Sequence, residues 1–489
     1  MAGMQFAGEF NIQDLKLFTS SGTVIDLSAL VIAMNIYEDI FSPCITGTIA
    51  LVDTNSLVMN APITGQDYLS FKITTPGLEN QSIDFTQTVM SIYKIDTRMS
   101  VSSGTEVFTL HFCSPEGLRD NRIRVSKSYK ESIDNIVKDT LTSKFYINSN
   151  KDLFIEPTTG VRKIVVPNMH PFKLINQLKR EAESKQNGSP HYLFFENING
   201  IHFRSLDSLY AQPNIGTFHS GDMGDIDFKE GGPMNVAYEL QRVLEYKFNA
   251  NNDTLKNIAG GMLASSILSH DIYNKNYSYN DFNYINDFQK YDRVNGNALT
   301  SALSVQSNFP IYNEVALDEF DNTISEFPDS RIHLHPTSTV NGADAQHYEE
   351  DNNRFVHKNS STSYNNPYTP NGIPNTYLSR QSKFMELNDG TSITMEINGT
   401  TTVYAGSMIE FNMPINGADH NDDKKDKYFS GRYLIQSTRH MFDLKEKKHK
   451  ILMNLVKDSL SSELPINEVA IEPKGKKGIV VNDFYNKFI

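Results

Sequence analysis

The chain has 489 residues, 39% of them hydrophobic and 21% charged, with a formal net charge of −13 and a pI of about 5.5. That length exceeds a single core and predicts about two to four domains, and the composition is that of a folded protein rather than a disordered one. The negative charge argues against a protein that holds nucleic acid by neutralising phosphate.

The opening residues, Met1 to Phe6, have no basic region followed by an apolar core, so no secretion signal is expected there. The longest clean apolar run, Ala29 to Met34, is far too short to span a bilayer. Folding in a cytoplasm follows, with Cys44 and Cys113 as free, buried thiols.

Residues 1–118 read as strands and turns. Asn35–Ile40 and Thr46–Leu51 form two strands around a loop containing Pro43. Phe71 and Ile73, and then Phe108, Leu110 and Phe112, alternate with polar neighbours, which gives each strand an inside and an outside. Pro62, Pro76 and Pro115 mark strand ends.

From 119 to 215 the period changes to that of a compact α/β domain. Ser128 and Glu131 have capping-box spacing, with Ile133, Ile136, Val137 and Leu141 on one helical face behind them. A second helix starts at Pro171 and carries Phe172, Ile175, Leu178 and Ala182, with Gly188 beyond its end. Tyr192–Phe195 and Ile201–Phe203 make a hairpin around Asn199-Gly200.

A strand over Val243–Phe248 precedes a helix expected from Asp253 to Leu268, weakened in its middle by Gly260-Gly261. Residues 281–376, rich in Asn, Ser, Tyr, Asp and Pro, read as a loop-rich insertion. A helix from Tyr377 to Leu387 leads into further strands, so that 216–280 and 377–465 make one discontinuous β-domain. The C-terminal arm, 466–489, carries Lys474, Lys476 and Lys477 and then Phe484, Tyr485 and Phe488, which are the candidate partner-docking residues. The alternative for the lysines is an ordinary solvated tail.

Two distant stretches repeat one another. Gly65 precedes an alternating strand with Leu69, Phe71 and Ile73, and then comes Tyr93-Lys-Ile95 followed by Thr97-Arg98. Gly406 likewise precedes Ile409, Phe411 and Met413, and then comes Tyr433-Leu-Ile435 followed by Thr438-Arg439. The Gly-to-Tyr interval is 93 − 65 = 28 residues in one copy and 433 − 406 = 27 in the other. A duplicated β-module doubles the apparent symmetry of any ring built from the chain. The fold class expected is therefore β-rich α+β, with two antiparallel β-barrels, a small α/β domain and an irregular insertion.

Chemistry is sparse. His333 and His335 would share one face of a strand that Pro336 ends, but no Cys, Asp or Glu stands at matching metal-ligand spacing. Asp419 to Asp423 begins like a calcium loop, yet Lys424 stands at the sixth position and Ser430 at the twelfth. Nucleophile-elbow, phosphate-loop, dinucleotide and zinc-protease motifs do not occur. No catalytic, cofactor-binding or metal residues are expected, and no enzyme activity.

The second module, with Gly406–Pro414, Phe429–His440 and Leu452–Ser459, resembles the C-terminal barrel of the central baseplate hub family of T-even-like contractile-tailed bacteriophages. Leu244–Phe248, Asp253–Leu255, Gly261-Met262 and Ser269–Asp271 are similar to the family's strand-helix entry into that barrel, and Ile36–Phe41, Gly47–Ile49 and Gly65 resemble the first barrel. The likeness covers most of residues 30–460, and extends to tail-tube proteins and to type VI secretion spike hub domains. It implies tube-type barrels and a homotrimer, a pseudo-sixfold ring that joins a sixfold tail tube to a threefold central spike. Its implied partners are the tail tube protein, the central spike protein and baseplate wedge proteins, with DNA passing through the lumen during genome ejection and no membrane insertion. It would be assembled in the host cytoplasm and reside in the virion tail baseplate. In such a ring, strand edges left open in each barrel would pair with, or be covered by, neighbours, and a lumen poor in Lys and Arg would not trap DNA. The alternatives are a tail-associated peptidoglycan hydrolase, a peripheral receptor-binding tail protein and a type VI secretion-like spike protein.

Overall fold

The computed structural model describes residues 4–54, 63–78, 80–102, 105–220, 236–250, 253–271, 276–288, 290–295, 324–337, 348–351, 354–357, 372–414 and 425–462. They form two compact units: one within 1–249, 392–426 and 432–456, the other within 250–391, 427–431 and 457–489.

The first unit opens with β1 (Asn11–Phe18), β2 (Val24–Asp26), β3 (Val31–Asp39), β4 (Thr46–Asp53), β5 (Tyr68–Thr74), β6 (Ser82–Asp84), β7 (Met90–Ser102) and β8 (Thr105–Cys113). In β4 the side with Ile49 and Leu51 is buried, and the side with Thr46, Thr48 and Ala50 is half-buried. Leu69, Phe71 and Ile73 of β5 meet Phe108, Leu110 and Phe112 of β8 in one core. There Phe71 packs edge-on against Phe85 at 5.2 Å and Phe112 at 5.8 Å. Each such buried side chain contributes roughly 1.5–3 kcal/mol.

An α/β region follows: α1 (Pro115–Arg122), β9 (Ser128–Glu131), α2 (Ile133–Thr142), β10 (Leu153–Ile155), β11 (Arg162–Val165), α3 (Pro171–Leu178), β12 (Tyr192–Asn197), β13 (Gly200–Ser205) and α4 (Leu206–Tyr210). Its core joins Ile133, Ile136, Val137 and Leu141 of α2 to Phe172, Leu174 and Ile175 of α3 and to Phe194 and Phe203 of the hairpin. Ser128–Glu131 is not a capping box. It is a strand antiparallel to β11, because Tyr129 turns inward and its hydroxyl donates to Asp139 at 2.8 Å. Ser132 stands at the N-cap position instead. The hairpin turn also lies one residue earlier than expected: Ile198 and Asn199 make it, and Gly200 already pairs with Asn197.

The chain continues through β14 (Asn214–Ser220), α5 (Val236–Gln241) and β15 (Arg242–Ala250) into the second unit, which contains α6 (Thr254–Gly260), β16 (Ala264–Asp271), β17 (Asn276–Asn283), α7 (Tyr284–Phe288), β18 (Ile332–Thr337), β19 (Tyr348–Asp351), β20 (Arg354–His357) and α8 (Gly372–Asp389). The helix expected to reach Leu268 stops at Gly260. Left-handed Gly261 (φ 79°) caps it, and Ala264–Asp271 is a strand paired with β17 and β18. The glycine pair therefore ends the helix rather than weakening it. Within the stretch read as a loop-rich insertion, the described residues include the end of β17, α7, β18, β19 and β20, while 290–295 and 324–327 are turns and loops.

A buried, charge-neutral set stabilises the second unit. Arg293 donates to Glu386 at 2.5 Å, Lys383 pairs with Asp458, and the Tyr284 hydroxyl donates to the other oxygen of Glu386. Two cations face two anions, so each ion has the partner that burial demands.

The first unit is completed by β21 (Thr391–Asn398), β22 (Met408–Asn412), β23 (Gly431–Asp443) and β24 (Lys448–Lys457). Around the second module the order is β23-β22-β14-β15-β21-β24, and a β23–β24 ladder closes it into a six-stranded barrel. The first module runs β1-β5-β7-β8-β4-β3. Taking each module's six strands as first to sixth along the chain, both follow the order first-fourth-fifth-sixth-third-second. They differ in two ways. The first strand is antiparallel to its neighbour in the first module and parallel to it in the second. Among the described residues only the second is closed by hydrogen bonds between its first two strands.

Gly65 and Gly406 occupy the matching turn before the fourth strand, both at positive φ (79° and 85°). The Tyr-x-Ile motifs start the matching fifth strands, β7 and β23. Among the described residues the second barrel shows no open edge, and the β3 edge of the first is paired with β23 of the same chain.

Candidate functional site

The two modules join where β3 runs antiparallel to β23, with Ala33 to Asp39 paired to Asp443 to Ser437. Alternation along β3 turns Met34, Ile36, Glu38 and Ile40 to the buried side. Glu38 thus takes its carboxylate into the junction. It accepts the backbone N–H of Ile198 at 2.8 Å, the N–H of Ala405 at 2.8 Å and the Thr438 hydroxyl at 3.1 Å. One side chain of the first module thereby holds the β12–β13 turn, the loop before β22 and β23 itself. Burial pushes its carboxyl up to about 7.

A second buried carboxylate, Glu196 on β12, accepts the N–H of Ile45 at 3.1 Å and the hydroxyl of Ser114 at 2.9 Å. Lys151 bridges it to Glu116, which lies 2.8 Å from the ammonium. Glu116 also accepts from Ser149 at 2.7 Å. Burial opposes the charge on each acid. At Glu116, Lys151 together with hydrogen bonds, among them that from Ser149, outweighs burial and the carboxyl is lowered, whereas burial keeps Glu196 raised.

Beside these, Asn197 donates to the carbonyl of Ala405 at 2.9 Å and accepts from His202 at 2.9 Å. His202 lies flat between Phe154 and Phe195, at 4.5 and 4.7 Å. Burial lowers it to about 3, so it stays neutral. Above the ladder an open groove of about 260 Å³ is lined by Tyr37, Asp39, Thr46, Ser437, Arg439 and Asn454, among others. The carboxylate oxygens of Glu38 and Glu196 face amides, hydroxyls and an ammonium from separate elements, which is the chemistry of a tie between modules.

The docking candidates Lys474, Lys476, Lys477, Phe484, Tyr485 and Phe488, and the calcium-like loop Asp419–Asp423, lie outside the described residues. His333 and His335 do lie on one strand, but Pro336 does not end it. β18 continues to Thr337 at the edge of its sheet, where a missing N–H is tolerated. The His333 ring meets Tyr377 at 5.4 Å. Among the described residues no group of three His, Cys, Asp or Glu could hold a metal, and no helix is long and apolar enough to cross a membrane. Cys44 and Cys113 are free but half-buried rather than buried. Burial pushes their thiols up to about 12 and about 11.

Sequence reasoning missed Glu38 and Glu196. The signal was present for Glu38, whose parity matches Met34 and Ile36.

No family model matches the chain, and no curated protein matches it. Solved structures do. A tail protein from Neisseria meningitidis superposes with a TM-score of 0.50 at 9% identity, covering 92% of this chain and 97% of that one. A 43 kDa tail protein of prophage MuSo2 from Shewanella oneidensis gives 0.47 at 8%, covering 92% and 98%. An E. coli component of the type VI secretion system gives 0.41 at 8%, covering 94% and 79%. The chain thus shares its β-rich α+β fold with the Neisseria tail protein along nearly the whole of both chains.

Proposed function

We propose that this chain is a structural hub of a contractile-tail baseplate: a non-enzymatic homotrimer whose two modules per subunit make a pseudo-sixfold ring between the tail tube and a threefold central spike. The observation that carries the reading is the duplication. Two six-stranded modules share one strand order and matching turn glycines, and they are joined edge to edge through β3 and β23. Three such chains offer six similar modules around an axis, which is what a sixfold-to-threefold adaptor needs. The fold shared with the Neisseria tail protein supports a place in a tail. DNA would pass through the ring on ejection, and baseplate wedge proteins would contact its outside.

Mass measurement and negative-stain images of the purified protein test this reading. The expected result is a ring of three subunits with sixfold-like density that leaves purified cell wall intact. A monomer at all concentrations in the presence of the spike would overturn the ring, and clearing of cell wall would favour a hydrolase.

A further inference from the structure

The α/β region of the first unit carries a second concave site. A pocket of about 330 Å³ lies between the end of α1 and the loop after α2, lined by Arg119, Arg122, Ile123, Lys144, Tyr146 and Asn148. Half of these side chains are cations and none is an acid, on a chain with 58 acidic and 45 basic residues. Arg119 is fixed in place: its Nη1 donates to the carbonyls of Ile147 at 2.9 Å and Asn148 at 2.7 Å. Carbonyls orient the guanidinium without neutralising it. Arg122 and Lys144 are exposed, and among the described residues neither makes an ion pair or a hydrogen bond. The closest acid in sequence, Asp120, accepts the N–H of Phe172 at 2.7 Å. Next to Lys144 stands Phe145, 74% exposed and the most exposed aromatic side chain among the described residues. The Lys144 ammonium lies 5.3 Å from its ring centroid.

Basic residues in the last turn of a helix complement its dipole, which accounts for Arg119 and Arg122. It does not account for Lys144 and Phe145, which arrive from a different segment. Converging cations repel one another until an anion joins them, and a largely exposed aromatic side chain is the kind of residue that anchors interfaces.

We infer that this pocket docks an acidic segment of a partner protein, with a carboxylate entering among Arg119, Arg122 and Lys144 while an apolar neighbour covers Phe145. A carboxylate matches a guanidinium with paired hydrogen bonds, and Ile123 and Tyr146 offer walls for its methylene stem. A nucleic acid fits less well: the cations form one hollow rather than a stripe along a backbone, and a net charge of −13 repels a phosphate polymer.

The test titrates the full-length protein, by calorimetry at low salt, with a synthetic peptide of one phenylalanine and four glutamates. The glutamine version of the peptide and a single-stranded DNA oligonucleotide of equal charge serve as comparisons. The acidic peptide should bind, weaken as salt is raised, and lose about tenfold in affinity or more to the R122E/K144E protein. Phe145→Ala should weaken it as well. All three positions are exposed, so folding is not at risk, and a thermal melt of each variant checks that. No binding of the acidic peptide, or equal binding by R122E/K144E, would overturn the inference. Tighter binding of the oligonucleotide, lost in the same variant, would overturn it in favour of phosphate.

Discussion

Glu38 and His440 pull the stability of the first unit in opposite directions as pH changes. Burial raises the Glu38 carboxyl to about 7 from an ordinary 4.5, so the folded protein holds that proton more tightly than the unfolded chain. The stability it contributes is full below pH 4.5 and is lost as pH rises through about 7. His440 stacks on His449, with ring nitrogens 3.1 Å apart. Burial lowers His440 to about 4 from 6.5, so its contribution is present above pH 6.5 and is lost as pH falls through about 4. Glu38→Gln removes only the first effect. Its amide nitrogen would leave one backbone N–H without an acceptor, a constant cost of roughly 1–3 kcal/mol. Thermal melts across pH should show the gap between wild type and variant narrowing from pH 4.5 to 7. A gap that stays constant across that range would mean that Glu38 does not titrate in the fold. At this scale the sequence was half legible. The parity of β3 placed Glu38 inward, but its three partners come from segments about 160 to 400 residues away, and no local pattern reports that.

At the scale of elements, alternating strands were legible because alternation is a local signal: β5 and β8 lie where their periodicity put them. The errors came where two local signals competed. Ser128 and Glu131 had capping spacing, but pairing with β11 and burial of Tyr129 prevailed. Gly260-Gly261 was read as a weak spot inside a helix, although the Ser and Ile residues after it, Ser265 to Ile267, suit a strand equally well. Gly47 on β4 gives a sharp test of the packing between strands. A Cβ there would sit 2.1 Å from the ring of Phe112 and 2.6 Å from the carbonyl of Asn35. Because one obstacle is backbone, the ladder itself must shift. Gly47→Ala should cost about 1–3 kcal/mol or more in urea unfolding, while Gly77→Ala, with open space around its Cβ but φ at 83°, should cost only about 1 kcal/mol. Equal losses would mean that the β3–β4–β8 contacts are looser than described.

For the whole molecule, the duplication was the most legible feature and the second unit the least. Two copies of Gly…Tyr-x-Ile announced a repeat because turn glycines and paired strands leave fixed spacings. The second unit depends on buried charges contributed by α8 and by residues after β24, such as Glu386 and Asp458, and no spacing rule connects them. The ladder between β3 and β23 has a further consequence for how the molecule bears force. Seven successive residues of each strand are matched, so a pull along the strands shears every bond together, while a pull across them peels the bonds one at a time. A molecule tethered at Ala33 and Ser437, at opposite ends of the ladder, should therefore yield at a higher force than one tethered at Ala33 and Asp443, at the same end. Equal rupture forces would mean that the load travels by another route. If the difference holds, thrust delivered along the strands meets a seam far stiffer than its few hydrogen bonds suggest, and the paired modules travel as one piece.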